Sequence, residues 1–113
     1  MSERDWKILF QDMVESAEKI QRYTDKLSFD DFVIQHMVID AVVRNLEIIG
    51  EAANRVPKNI QEKFSKIHWR KIIGLRNRII HEYFGVDLSI IWYIITNEIP
   101  NLKIEILNAL KEI

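Results

Sequence analysis

The spacing of apolar residues limits what this chain can fold into more than any other feature does. In the first 25 positions these residues follow a three-and-four spacing, which is the period of one face of an α-helix. Glycine and proline, which would interrupt such a pattern, number only 3 and 2 among 113 residues. With 48% hydrophobic residues the chain can bury a core, which excludes a disordered protein. The sequence therefore predicts an all-α fold in a single domain spanning residues 1–113.

Residues that favour helix ends divide the chain into six predicted helices. Ser28 is a good N-cap, and Pro100 can occupy a first helical turn because its missing N–H does no harm there. The apolar run Ile90–Ile95 could be read as a strand, but no other segment offers it a partner, so we predict a buried helix. The predicted helices span about Ser2–Asp25, Ser28–Val56, Pro57–Phe64, Trp69–Tyr83 and Leu88–Ile99, and the last one follows Pro100.

Several functional classes are excluded by residue types that the sequence lacks. Without cysteine, no disulfide or thiolate zinc site can form. His36, His68 and His81 have no metal-ligand spacing, and no glycine-rich phosphate loop is present, so we expect neither a metal nor a cofactor. The longest apolar runs are too short to span a bilayer, and Met1–Asp5 does not resemble a signal peptide. We therefore expect a cytoplasmic protein with no membrane partner.

The net charge of −1 conceals a basic segment in the middle of the chain. Between Arg55 and Arg78, eight Lys and Arg residues face a single acid, Glu62, which leaves the segment at +7. A localised basic segment on a nearly neutral protein is typical of a small phosphate-binding face. A solvated surface balanced by acids elsewhere in the fold would give the same pattern, and charge alone does not separate the two interpretations.

A line of polar residues runs along the second predicted helix. Asp40, Arg44, Glu47 and Glu51 are separated by four, three and four positions, so they share one narrow face of the helix. This line is either the solvent-facing side of the helix or the border of a polar cleft that holds a charge.

The fourth predicted helix carries the residues best suited to chemistry. On a helical wheel at about 100° per residue, Arg76 points out of the middle of the apolar face, with Tyr83 about 20° away. Asn77 and His81 share the boundary, while Arg78 and Lys71 lie on the solvent side. A buried arginine needs an acid, and Glu47 and Glu51 are the best candidates; Arg76 is then either an ion-pair anchor or part of a site. A lone histidine at a helix boundary, such as His81, is more often structural than catalytic.

Together these side chains suit reactions at a phosphate. Arginine offers a permanent positive fork for phosphate, histidine exchanges protons near neutral pH, and tyrosine supplies a hydroxyl. Arg76 and His81 are about 140° apart on one helix, so they do not converge readily within one chain. Two copies of this helix facing each other across a two-fold axis would solve that problem, since each cleft could draw on both subunits.

The motif and its surroundings resemble a known family. The arrangement of Arg76, His81 and Tyr83, the flanking segments Trp69–Arg78 and Tyr83–Asp87, and the segment Leu46–Ala52 resemble HepT-type HEPN toxins over nearly the whole chain. The resemblance implies an antiparallel helical bundle, a homodimer and a metal-independent endoribonuclease site at the dimer cleft. It also implies a partner, the MntA-type minimal nucleotidyltransferase, which acts as the antitoxin.

The resemblance also implies roles for individual residues. Arg76 and His81 become the catalytic pair, Asn77 a phosphate-positioning residue and Tyr83 the residue that the antitoxin adenylylates. RNA supplies its own nucleophile, the 2′-hydroxyl, so the expected products are a 2′,3′-cyclic phosphate and a 5′-hydroxyl. Two alternatives stay open: a non-catalytic module that binds a nucleotide or partner, and a plain structural dimer. We further expect Arg70, Lys71 and Arg78 to position RNA, and Asp40, Glu47 and Glu51 to act as supporting acids.

Overall fold

The computed structural model describes residues 3–79 and 88–112, and every regular element within them is helical. The predicted all-α fold is therefore confirmed. Residues 75–79 are helical again after a turn at Gly74. The other elements are α1 (Glu3–Thr24), α2 (Phe29–Ile34), α3 (His36–Arg55), α4 (Lys58–Lys63), α5 (Trp69–Ile73), α6 (Leu88–Tyr93), a π-helical turn (Ile94–Glu98) and α7 (Ile99–Lys111).

The start of α2 follows directly from the local sequence. The Ser28 Oγ accepts a hydrogen bond from the Asp31 backbone N–H at 3.1 Å, and the Asp31 carboxylate accepts one from the Ser28 N–H at 3.1 Å. This reciprocal capping box satisfies two backbone donors that the first helical turn would otherwise leave unpaired. The predicted N-cap at Ser28 is thus confirmed.

The second predicted helix is interrupted, which corrects the expectation of one continuous helix up to Val56. Gln35 has a non-helical conformation, with φ −101° and ψ 83°, and it separates α2 from α3. The break allows α2 to pack against α6, where the centroid of the fully buried Phe32 ring lies 5.2 Å from that of the Trp92 ring. No glycine or proline marks this break, so a tertiary contact outweighs the local preference for a continuous helix.

Aromatic side chains show how α1 and α3 are oriented. Trp6 and Phe10, near the start of α1, pack against Phe64, with ring centroids 5.8 and 5.7 Å away. Phe10 also lies 5.8 Å from Trp69, and both partners follow the end of α3 in the chain. The beginning of α1 therefore lies near the end of α3, and the two long helices, which pack extensively, run antiparallel.

The last helix also runs antiparallel to α1. Lys103, early in α7, donates to the Gln21 side chain at 3.1 Å and lies 3.5 Å from a Glu18 carboxylate oxygen, late in α1. At the other end of α7, Ala109 shares a surface cleft with Phe64, which packs on the start of α1. The described helices therefore form the antiparallel bundle that the resemblance implied.

A widened turn joins α6 to α7 where two separate helices were predicted. The Ile99 N–H donates to the Ile94 carbonyl, the five-residue spacing of a π-helix. Pro100 follows immediately; it lacks an N–H, and its ring would clash with the Thr96 carbonyl in a regular α-helix. The wider turn accommodates the proline without ending the helix. Ile91, Ile94 and Ile95 are buried in this segment, which confirms a buried helix rather than a strand. None of the described helices has the length and apolar character needed to span a bilayer.

Candidate active site

The short helix α5 is fixed in place by buried contacts on one side. The Trp69 indole N–H donates to the carbonyls of Gln61 at 3.0 Å and Phe64 at 3.1 Å, which ties the start of α5 to the end of α4. Gly74 interrupts the helix. The buried side chains of the helical segment that follows, 75–79, continue the buried side of α5. The buried stripe consists of Trp69, Ile72, Leu75 and Ile79.

Arg76 lies beside this stripe and is exposed, not centred on the apolar face as the helical wheel predicted. The buried stripe is centred about 45° from Arg76 on a wheel, because Leu75 belongs to it and the half-buried Ile73 does not. The inference that Arg76 needs an acid to offset its burial is therefore wrong. No hydrogen bond or ion pair joins Arg76 to Glu47, Glu51 or any other residue in the described ranges.

Arg76 lines a cleft of about 380 Å³ between α3 and α5, which we call the Arg76 cleft. Of the two interpretations of the polar line on α3, the structure favours the border of a polar cleft for Arg44, Glu47 and Glu51. Asp40 is exposed farther towards the start of α3 and does not line this cleft. Arg44 is a second cation here that sequence reasoning did not assign to a site. The lining residues are Arg44, Glu47, Gly50, Glu51, Asn54, Ile73 and Arg76.

The close approach of α3 and α5 at this cleft depends on Gly50. A Cβ atom built on Gly50 would lie 3.1 Å from the Ile72 carbonyl oxygen and 3.7 Å from the Leu75 Cβ. A side chain there would press on the α5 backbone, so the glycine sets how near α5 and Arg76 come to α3. Sequence reasoning assigned Gly50 no role, although a glycine inside a helix, which costs roughly 0.5–1 kcal/mol relative to alanine, was the available signal.

The remaining residues predicted to position RNA or its phosphate divide into two groups. Arg70, Lys71 and Asn77 are exposed, as a phosphate-binding surface requires. Arg78 was expected on the solvent side, and that expectation is wrong. It is half-buried, and its two terminal nitrogens each donate to one oxygen of Glu98 at 3.0 Å.

Glu98 lies in the π-helical turn, so this ion pair joins the helical segment 75–79, which we call the motif helix, to the turn that leads into α7. The hydrogen bonds from Arg78 lower the pKa of Glu98 by more than its partial burial raises it. The charges of Arg78, Lys71 and His68 lower that pKa further, with the Lys71 Nζ 3.8 Å from a Glu98 oxygen. Glu98 is therefore ionised at neutral pH. Arg76 and Arg78, two residues apart, have different surroundings: one is open to a ligand and the other is bound to protein.

His81 and Tyr83 lie outside the described residues, so their positions relative to Arg76 stay a prediction. Within 3–79 and 88–112, no three His, Asp or Glu side chains come together as a metal site would require. The described part of the site thus consists of a polar cleft with two arginines, two glutamates and an adjacent basic helix.

Comparisons with known proteins agree with the motif. The family model described as "Ribonuclease HepT-like" matches residues 13–109. "Probable ribonuclease HepT" of Thermococcus cleftensis is 37% identical over 88% of this chain and 91% of its own length. A protein of Methanocaldococcus jannaschii (39% identity, 94% of this chain, 97% of that protein) and one of Caldanaerobacter subterraneus (48% identity, 76% and 77%) are each named, in the same provisional way, as an RNase.

No solved structure matches the chain. The family model covers most of its length, including Arg76, His81 and Tyr83, and the relatives match over most of both lengths. The chain therefore belongs to the HepT-like ribonuclease family.

Proposed function

We propose that this protein is a metal-independent endoribonuclease toxin that acts as a homodimer. The observation that carries the proposal is the exposed Arg76 guanidinium in the α3–α5 cleft, with no protein partner among the described residues and five positions before His81. An arginine held at a cleft with its donors free is suited to bind a phosphate. Membership of the family and the names of the relatives support RNA as the molecule that carries that phosphate.

The proposed reaction uses the 2′-hydroxyl of RNA as its nucleophile. A base removes the proton of that hydroxyl, the oxygen attacks the adjacent phosphorus, and the bond to the 5′-oxygen of the next nucleotide breaks as that oxygen gains a proton. His81 acts as base or acid, and Arg76 stabilises the negative charge on the phosphorane. Arg44, on the opposite wall of the cleft, is a second positive charge near the proposed phosphate position. The products are a 2′,3′-cyclic phosphate and a 5′-hydroxyl.

The homodimer is proposed from the outer face of α3. Ile34 and Met37, at the junction of α2 and α3, are 72% and 87% exposed, although both are apolar. Met37, Arg44 and Glu51 are spaced seven residues apart, so the apolar end of α3 and the Arg76 cleft share one face of the helix. A second copy packed on this face would bury the apolar residues and bring its own motif towards the cleft. The site could then combine Arg76 of one copy with His81 of the other.

The test is cleavage of RNA by the purified protein with and without EDTA, followed by analysis of the product ends. We expect that cleavage survives EDTA and that the products carry cyclic phosphate ends. We also expect that cleavage is lost in Arg76→Ala and His81→Ala. Arg55→Ala is the matched control, because Arg55 is exposed near the end of α3 and does not line the cleft. If the wild-type protein leaves RNA intact, the enzyme proposal fails and a non-catalytic nucleotide- or partner-binding module replaces it.

Control of the toxin is proposed to act through Tyr83 and an MntA-type minimal nucleotidyltransferase. The phenol oxygen attacks the α-phosphate of ATP, pyrophosphate leaves, and AMP remains on the tyrosine. The added phosphate competes with RNA for Arg76, and the adenosine blocks the approach to the cleft. Co-expression with such a transferase should add the mass of one or more AMP groups, and Tyr83→Phe should abolish the gain. A mass gain that persists in Tyr83→Phe would place the acceptor elsewhere.

A further inference from the structure

A second cleft lies between α5 and the last helix, and it holds residues that the proposed reaction does not use. It has a volume of about 370 Å³. His68 and Lys71 belong to the α5 side, while Tyr93, Asn97 and Asn101 come from the end of α6, the π-helical turn and the start of α7. We call it the Tyr93 cleft. α5 and the residues next to it border both the Tyr93 cleft and the Arg76 cleft. The two clefts therefore flank the same short helix.

Tyr93 is the exposed aromatic residue of this cleft. Its side chain is 56% exposed, while Ile94 and Ile95, which follow it, are buried. It stands immediately before the π-helical turn Ile94–Glu98, and such turns are frequent at functional sites. An aromatic ring held on a rigid helix at the edge of a cleft offers a platform on which an unpaired base can stack.

The amide side chains beside Tyr93 suit the polar edge of a base. The Asn97 amide nitrogen donates to the Tyr93 carbonyl at 3.2 Å and to the Thr96 hydroxyl at 3.1 Å. Its amide oxygen therefore remains available as an acceptor. Asn101 is exposed and makes no hydrogen bond to any residue of the described ranges, so it offers both a donor and an acceptor. Unpaired bases are recognised through such groups on their exposed edges.

The charges around the cleft allow a nucleic acid strand to approach. Glu98 contributes a carboxylate to the cleft, but Arg78 binds it through two hydrogen bonds and Lys71 lies nearby. Glu105, the other carboxylate of the lining, is a hydrogen-bond acceptor suited to a base amino group. The sequence from position 63 to position 81 contains no acid. Its exposed Arg70 and Lys71 lie on α5, which separates the two clefts, and the exposed Asn77 lies in the helical segment 75–79 that follows. A strand bound at Arg76 can therefore cross a basic surface to reach Tyr93.

We propose that the Tyr93 cleft is a base-binding subsite for single-stranded RNA, occupied by one unpaired nucleotide a short distance along the strand from the cleaved phosphate. Tyr93 stacks on the base, Asn97 and Asn101 bond its edge, and Lys71 contacts the backbone. This inference rests on the proposed ribonuclease function and adds to it a determinant of substrate binding. It also explains why an aromatic side chain stands exposed next to two amides.

The first experiment compares cleavage of a short single-stranded RNA by Tyr93→Ala, Tyr93→Phe and the wild type. Loss of a stacked base weakens binding on the order of tenfold, so KM should rise by about that factor in Tyr93→Ala while kcat stays within about twofold. Tyr93→Phe should retain the wild-type KM because the ring remains. Tyr23→Ala is the matched control: Tyr23 is exposed on α1, 39% accessible, and lines neither cleft. Asn101→Ala should reduce the preference among the four bases at one position of the substrate, which a purely structural role would not do.

The second experiment measures binding of a 2′-O-methyl RNA, which lacks the nucleophile and cannot be cleaved. Weaker binding by Tyr93→Ala, with Tyr93→Phe and Tyr23→Ala unchanged, supports the subsite even if the wild type does not cleave RNA. Equal affinity of Tyr93→Ala and the wild type overturns it, whatever the cleavage assay shows. If cleavage is normal and only binding of a protein partner is lost in Tyr93→Ala, the cleft is a protein-docking surface. The subsite then fails while the proposed ribonuclease function stands.

Discussion

Replacing Glu98 with glutamine tests how the motif helix is held. Glu98→Gln keeps the size of the side chain but removes the charge that Arg78 binds. The wild-type pair has two hydrogen bonds of 3.0 Å, and the side chains of Arg78 and Glu98 are only 30% and 20% exposed. The pair connects residues 20 positions apart, so its loss affects the contact between the motif helix and the π-helical turn rather than one helix alone.

The expected loss of stability lies between two limits. Ion pairs fully exposed to solvent contribute about 0–1 kcal/mol, while hydrogen bonds to charged groups in protected surroundings contribute about 1.5–3 kcal/mol. This pair is bidentate but still partly accessible, so we expect Glu98→Gln to lower the free energy of unfolding by about 1–2 kcal/mol. With an unfolding entropy of about 2 cal/mol/K per residue, that corresponds to a fall in Tm of about 4–8 °C.

The effect should depend on pH in a defined direction. The pKa of Glu98 in the folded protein is below its usual value of 4.5, so the folded state favours the ionised carboxylate. The contribution of the pair is therefore complete at pH values above 4.5 and is lost as the pH falls through the lower folded value. The difference in stability between the wild type and Glu98→Gln should be largest near pH 7 and should shrink as the pH falls below 4.5 and Glu98 becomes protonated in the folded protein.

Urea unfolding followed by circular dichroism, at equal protein concentrations, measures both quantities. Glu105→Gln is the matched control. Glu105 is seven residues further along, lines the same cleft, and has no ion pair to the described residues. If Glu98→Gln and Glu105→Gln change the stability equally, or if the loss in Glu98→Gln does not vary with pH, the Arg78–Glu98 pair does not stabilise the fold.

Three further changes test other parts of the structure. Arg76→Ala should leave the unfolding free energy within about 0.5 kcal/mol, because the side chain is exposed, while RNA cleavage falls at least on the order of 100-fold; a large drop in Tm would contradict the exposed placement. Met37→Glu should shift a dimer to a monomer in sedimentation experiments, whereas Ile8→Glu, at an exposed apolar site on α1, should not. Gly50→Val should lower the unfolding free energy in urea by about 1–3 kcal/mol, because its Cβ would press on the Ile72 carbonyl; unchanged stability would mean that α5 can move away freely.

The features that sequence analysis predicted correctly are those set by neighbouring residues. The N-cap at Ser28 needs only the Asp31 side chain three positions away, and the extent of α1 follows from its own apolar spacing. The border of a polar cleft along α3 was one of two interpretations, because periodicity shows which residues share a face but not what that face meets. The sequence alone therefore predicts which polar residues share one face of α3. Packing of α3 against α5 determines that this face borders a cleft.

The features that were predicted wrongly depend on contacts between distant residues. The break at Gln35 follows from the packing of Phe32 on Trp92, 60 positions away. Arg78 was placed in solvent because a wheel contains no information about Glu98, which a helix 20 residues later supplies. Arg76 was placed at the centre of the apolar face because the wheel counted Ile73 in that face and left out Leu75, although Leu75 is buried and Ile73 is only half-buried.

Arg76 and Arg78 together explain how an exposed side chain can still be held in one orientation. Arg76 has no described protein partner, so its position must come from the backbone that carries it. That backbone is held on one side by the close approach of α3 at Gly50 and on the other by the bond from Arg78 to Glu98. The buried stripe of α5 alone would leave the helix free to rotate or slide by small amounts, since apolar packing is not directional. The steric fit at Gly50 on one side and the directional hydrogen bonds of Arg78 on the other restrict that motion, and the guanidinium of Arg76 keeps its donors for the ligand.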